Sequence, residues 1–286
     1  MKFLYKISIL LFLISHTCVV FAQRRVACIG DSVTKGYGIK DEKDTYPAQL
    51  QELLGSDYLV GNFGHSGATL LNKGHNPYTK TQAYQDALNF NPDIIIIALG
   101  LNDTDPRNWP NYRNEFVADY SSLIQSFRQQ NPKVEVFVCS MTPIFSGHRR
   151  FLSGTREWFD QIQSIIPQIV KVNQAKFIDN HKALAARIDL FDDYLHPNAK
   201  GARLLAENVF AYLVPLKQAL QFDPTFGNHM VLQRNRVNIL KGKGTAYQKV
   251  VVSFNKKKFE TVIDSLGNWK LDLPSQSAGG PFEIEI

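Results

Sequence analysis

The stretch NPDIIIIALG, residues 91–100, decides the fold. Four consecutive isoleucines leave no position for a water-facing side chain, so the alternation of a half-buried strand is missing. A short β-branched run between Asn-Pro-Asp and Gly suits a strand covered on both faces, as in a parallel sheet. Its neighbours agree. RRVACIG (24–30) and DYLVGNFG (57–64) read as strands before it, KVEVFVCS (133–140) and KFIDN (176–180) as strands after it. Helical spacing fills the intervals: YPAQLQELLG from Tyr46 with Gly55 as C-cap, AYQDALNF (83–90), a long helix over Phe116–Gln130, and NAKGARLLAENVFAYL (198–213) with Asn198 as N-cap. This alternation predicts a doubly wound α/β sheet over residues 23–220. Ligands of such sheets bind beyond the carboxyl ends of the strands.

Past FDPTFGNHMVLQR (222–234) the pattern changes. VNILKG, QKVVVSF, KKFETVI and GNWKLDL are short strands with turns between them, and DSLGNW (264–269) carries a hairpin signal. Residues 221–286 therefore read as a small all-β region, either a β-sandwich or the front part of a longer protein. Its aromatic residues Phe226, Tyr247, Phe254 and Trp269 are expected to pack rather than to form a sugar platform.

The chain has 286 residues, 44% of them hydrophobic, enough for one large core plus a small one. The net charge of +6 is dispersed: Lys2 and Lys6 lie at the N-terminus, and nine Lys/Arg face six Asp/Glu from Phe222 onward. The stretch between is nearly neutral. No basic stripe is present, which argues against a nucleic-acid partner. NKKK (255–258) reads as a solvated hairpin turn.

The first 22 residues read as a signal peptide. Lys2 and Lys6 precede a short apolar stretch broken by Ser15, His16 and Thr17, and small residues Val20 and Ala22 precede Gln23. A membrane anchor is the alternative, but the apolar stretch is short for a span. Cleavage after Ala22 predicts a periplasmic or secreted protein without a membrane span. Cys18 lacks the small-residue context of a lipoprotein cysteine. Cys28 and Cys139 end strand-like runs and are expected as buried free thiols. No Cys/His pattern has zinc spacing.

Four polar clusters fall at the predicted carboxyl edge: GDS with Ser32, NFGHSGAT (62–69), GLND (100–103) and DYLHP (193–197). Each alone is an ordinary turn or a local ion pair. Together, in this order, they resemble the blocks of the SGNH (GDSL-type) hydrolase family over roughly residues 24–220. The resemblance implies a flavodoxin-like three-layer α/β/α fold with a central parallel sheet, and ester hydrolysis without metal or cofactor. A serine hydroxyl needs a base to become a nucleophile, and His196, with Asp193 three residues before it, supplies one. The resemblance assigns the oxyanion hole to the backbone N–H of Ser32, the backbone N–H of Gly67 and the side-chain amide of Asn102. Asp31 is expected to brace the serine loop, Gly64 to shape a turn, and Asp103 to hold its loop or touch substrate. His65, His75, His148 and His181 read as loop or surface residues, and Arg149 and Arg150 as a solvated loop. Leu101 stands where relatives often carry Thr, which bears on substrate contacts rather than on the triad.

The β-region, on FDPTFGNHMVLQR and GNWKLDLPSQSAGGPFEIEI, looks like the opening β-domain of sialate O-acetylesterases. The N-terminal blocks look like SGNH domains fused to such regions in glycan-foraging bacteria of the Bacteroidetes type. These likenesses imply removal of O-acetyl groups from a sugar or glycan, with sialic acid first and acetylxylan or another polysaccharide as the alternative. A non-catalytic glycan-binding protein is the alternative of another class. Oligomeric state is not legible.

Overall fold

Ile94 and Ile96 face one side of a sheet, Ile95 and Ile97 the other, and all four are at most 2% exposed. That division accounts for the unbroken apolar run: both faces are covered. The computed structural model describes residues 23–150, 155–214, 219–245, 248–264 and 267–286, so the expected signal peptide and Tyr247 lie outside the described residues.

The elements run β1 (Arg24–Gly30), α1 (Ser32–Lys35), α2 (Tyr46–Leu54), β2 (Tyr58–Gly64), α3 (Gln82–Asn89), β3 (Ile94–Ala98), α4 (Trp109–Tyr112), α5 (Phe116–Gln130), β4 (Glu135–Cys139), α6 (Thr155–Val172), β5 (Lys176–Ile178), α7 (Asn180–Leu184) and α8 (Ala199–Leu213). The five strands form one parallel sheet in the order β2-β1-β3-β4-β5. This is the flavodoxin-like order, with its reversal between β1 and β3. Helices α3, α5 and α6 cover one face through Ala87, Phe116, Ile124, Ile162 and Ile166. Helices α2 and α8 cover the other through Leu50, Leu205 and Val209. Each Leu, Ile, Val or Phe among them contributes roughly 1.5–3 kcal/mol when fully buried. Cys28 and Cys139 are free and buried on the second face, and burial pushes the Cys28 thiol up to about 12.

The predicted caps are present. Gly55 follows α2 at φ +70, and Asn198 accepts the Gly201 N–H at 3.1 Å at the start of α8. Helix α6 was not expected. It contains Pro167, which blunts a helical reading, although Phe159, Ile162, Ile166 and Ile169 keep helical spacing and are buried.

The C-terminal region is all-β, with β6 (Gln221–Phe222), β7 (Asn238–Lys243), β8 (Lys249–Phe254), β9 (Lys257–Val262), β10 (Asn268–Leu273) and β11 (Ile284–Glu285). They form two three-stranded antiparallel sheets, β10-β7-β6 and β11-β8-β9. Leu240, Val250, Val252, Phe254, Trp269 and Leu271 share one core drawn from both. NKKK is a hairpin turn joining β8 to β9, with φ +48 at Asn255 and +60 at Lys256. DSLGNW does not behave as the expected hairpin. A turn exists, with Asp264 accepting the Asn268 N–H at 2.9 Å, but β9 pairs with β8 while β10 pairs with β7. The chain crosses between sheets there.

Candidate active site

The carboxyl end of β1 turns sharply into α1. A Cβ on Gly30 would stand 2.1 Å from Thr34 Oγ1, so the helix can fold back against the strand only over glycine. Asp31 caps α1 by accepting the Val33 N–H at 2.9 Å. Ser32 is the first residue of α1, and Gly36, at φ +88, closes the turn on its carbonyl. Gly64 ends β2 beneath this helix, where a Cβ would meet Lys35 N at 2.2 Å. Its role is close packing of β2 against α1 rather than the expected turn.

Asp193 and His196 come from the loop before α8. The Asp193 carboxylate accepts from Leu195 N at 3.0 Å and His196 N at 2.7 Å on one oxygen. Its other oxygen lies 2.6 Å from His196 Nδ1. Tyr194, at φ +66, makes the reversal that aims both amides inward. Burial raises the Asp193 carboxyl, but the His196 side chain and the two backbone N–H groups outweigh it and hold it below its ordinary value. With Nδ1–H donated to the carboxylate, the His196 Nε2 lone pair faces outward. Ser32 Oγ lies 2.9 Å from that nitrogen. The structure therefore brings together Ser32, His196 and Asp193 in series across 164 positions of sequence.

Asn102 opens a turn beyond β3 and is 6% exposed. Its Nδ2 donates to Ala68 O at 3.0 Å, tying it to the loop after β2 that contains Gly67. An amide nitrogen has two hydrogens, so one remains for another acceptor. Gly67 sits at φ +78, while a Cβ there would meet only Asn76 Nδ2 at 3.4 Å; its requirement is backbone conformation rather than space. Asp103 is fully buried and accepts the Leu70 and Leu71 N–H groups at 2.9 and 2.8 Å. Of its two expected roles, the structure shows the loop-holding one. Burial pushes Asp31 up to about 6 and Asp103 up to about 7.

Arg149 is exposed, as read from sequence. Arg150 is not a solvated loop residue. It is half-buried and donates from Nη1 to Leu101 O at 2.9 Å and from Nη2 to Asn102 Oδ1 at 3.2 Å. His148 accepts the Arg150 N–H on Nδ1, and burial together with the Arg150 charge lowers its pKa, against the pull of Asp193. His75 pairs with Asn108, whose amide also holds Asn102 O at 2.9 Å. Tyr37 lies against His196, with ring centroids 4.5 Å apart, and is 58% exposed. No local motif marks Arg150, Asn108 or Tyr37; Arg150 and Tyr37 have distant partners, and Asn108 joins nearby Asn102 to distant His75.

A hydroxyl, an imidazole and a carboxylate in series can run acyl transfer by a serine nucleophile, given donors for the oxyanion. Residues 28–204 match the family model described as GDSL-like Lipase/Acylhydrolase family. The chain belongs to the GDSL-like lipase/acylhydrolase family. An acetylxylan esterase of Xylanibacter ruminicola is 37% identical over 206 residues, 65% of this chain and 42% of that protein. The chain thus spans less than half the length of that relative. The fold is shared with Est24, a carbohydrate acetylesterase from Sinorhizobium meliloti, at TM-score 0.53 and 18% identity over 67% of this chain and 98% of that one. An aryl esterase of M. smegmatis aligns at TM-score 0.53 and 16% identity, covering 66% and 98%. One GDSL-like fold therefore carries differently named esterases, and the fold alone does not choose a substrate.

Proposed function

We propose that this chain is a serine esterase that removes O-acetyl groups from carbohydrate, with acetylated xylan as its substrate class. The observation that carries the chemistry is the hydrogen-bonded series from Ser32 Oγ through His196 to Asp193. The substrate class is supported by the 37% identity to a protein named acetylxylan esterase. Ser32 Oγ gives its proton to His196 Nε2 and bonds to the acetyl carbon. The carbonyl electron pair moves to oxygen, where the Ser32 and Gly67 backbone N–H groups and the Asn102 amide stabilise it. Each donor of this kind is worth roughly 3–4 kcal/mol. Collapse breaks the bond to the sugar oxygen, which takes the proton from His196. Water then attacks the acetyl-serine with His196 again as base, and acetate leaves. Asp193 holds the imidazole and stabilises its cation throughout.

Sialic acid is the second reading, favoured by the likeness of the β-region to sialate O-acetylesterases. It ranks below xylan because the named relative rests on 206 aligned residues. Export after cleavage at Ala22 belongs to the same proposal and suits a glycan task outside the cytoplasm. Among the described residues no helix is long and apolar enough to cross a membrane. The deciding experiment is acetate release from acetylated xylan and from O-acetylated sialic acids, side by side. Release from xylan with none from sialic acids supports the first reading; the reverse supports the second. Absence of labelling of the folded protein by a fluorophosphonate would return the chain to a non-catalytic glycan binder.

A further inference from the structure

The amide of Asn102 is held at both ends. Nδ2 donates to Ala68 O, and Oδ1 accepts from the Arg150 guanidinium, whose other arm holds Leu101 O. Turning the amide over would face its NH2 group toward a cation and its oxygen toward a carbonyl. Both contacts would become repulsive, so the donor orientation is fixed from outside the residue. The guanidinium is planar and two-armed, and it spans a backbone carbonyl and a side-chain oxygen of consecutive residues. Its charge on Oδ1 draws electron density from the amide and makes the remaining Nδ2–H a stronger donor. Arg150 reaches this point from the loop after β4, whose end is fixed where Thr155 Oγ1 donates to Arg150 O.

We propose that Arg150 is the positioning residue of the oxyanion hole: it orients and polarises the Asn102 amide without touching substrate. The proposal rests on the reading of Asn102 as an oxyanion donor. Its energetic signature is a loss confined to the transition state, expressed only while Asn102 is present.

The test is a double-mutant cycle on the full chain with p-nitrophenyl acetate, which reads the acyl chemistry independently of any sugar. Arg150→Ala should lower kcat by roughly 10–100-fold with KM changed less than about threefold. On an Asn102→Ala background the same change should cost less than about threefold, since its target is gone. Added guanidinium at low, non-denaturing concentration should restore part of the Arg150→Ala loss and none of the Asn102→Ala loss. Should Arg150→Ala fail to fold, Arg150→Lys, which keeps the stem and charge but not the two-armed donor, is measured in the same cycle. Additive losses in the double variant, or a rise in KM at constant kcat, overturn the proposal. If Asn102→Ala itself turns over at the wild-type rate, the oxyanion reading of Asn102 fails and this proposal with it. If Asn102→Ala is slow and the Arg150 variants are not, only this proposal fails.

Discussion

One carboxylate holds His196 twice: Asp193 takes the imidazole at 2.6 Å on one oxygen and the backbone N–H of the same residue at 2.7 Å on the other. Ring and main chain are set by a single group. Replacing it by an amide separates the two functions. Asp193→Asn can keep accepting the backbone N–H groups through Oδ1, but presents NH2 to Nδ1. That favours the tautomer with the proton on Nε2, the wrong one for taking a proton from Ser32. Turnover of p-nitrophenyl acetate should fall by roughly 10²–10⁴-fold with the melting temperature nearly unchanged. A loss under tenfold would show that the carboxylate is not needed to orient the ring.

Ser32 Oγ and His196 Nε2 share one hydrogen bond, so under the proposed mechanism their losses should not add. Ser32→Ala and His196→Ala should each lower kcat by roughly 10³-fold or more, and the double variant should be little slower than either. Steady-state rates on p-nitrophenyl acetate check this. Two independent losses that multiply would mean the hydrogen bond between them is not the working contact.

Asp31 should make stability depend on pH. Its carboxyl is raised by burial from 3.8 to about 6. A carboxyl raised in the folded state contributes fully below its unfolded value and loses that contribution as pH rises through the folded one. Stability should therefore decline between about pH 4 and about pH 6, and Asp103 should extend the decline to about pH 7. Asp31→Asn keeps the helix cap and removes the titration. It should be more stable than the parent at pH 7 by roughly 2–3 kcal/mol, with the gap closing toward pH 4. Urea unfolding across that range reads it; parallel profiles for the two proteins would refute it.

Gly64→Ala should damage the fold more than Gly67→Ala. At Gly64 a methyl would press on the backbone of α1 at 2.2 Å, which no side-chain movement relieves. At Gly67 the cost is that of φ +78 alone, about 1–2 kcal/mol for a residue with a Cβ. Gly64→Ala should lose at least about 3 kcal/mol, as overpacking of a tight contact does. Equal losses in thermal unfolding would remove the helix contact as the reason for this glycine.

The parts legible in sequence were those whose cause is local. The isoleucine run reads as a two-sided strand because every position in it must be apolar. Ser32, Asp193 and His196 were legible through the resemblance of their sequence blocks to a known family, which also assigned Gly67 and Asn102 to the oxyanion hole. Arg150 was not, since an arginine in a loop looks solvated until its acceptors, 48 and 49 residues back, are in place. Helix α6 was hidden by Pro167. In the β-region, DSLGNW signals a reversal of direction, but the partner of the returning strand is a tertiary matter: Asn268 pairs with Lys243, not with β9.

Because Asp193 and His196 sit on one tight loop, they form a single rigid piece that meets Ser32 at one joint, the 2.9 Å bond from Nε2 to Oγ. Movement of that loop would open the joint while leaving the acid–base pair intact. Such a displacement would leave the Asp193–His196 hydrogen bond in place, and one rigid-body step would restore the alignment without rebuilding a network. The distance across the joint, rather than the pairing of Asp193 with His196, is what an aligned site requires.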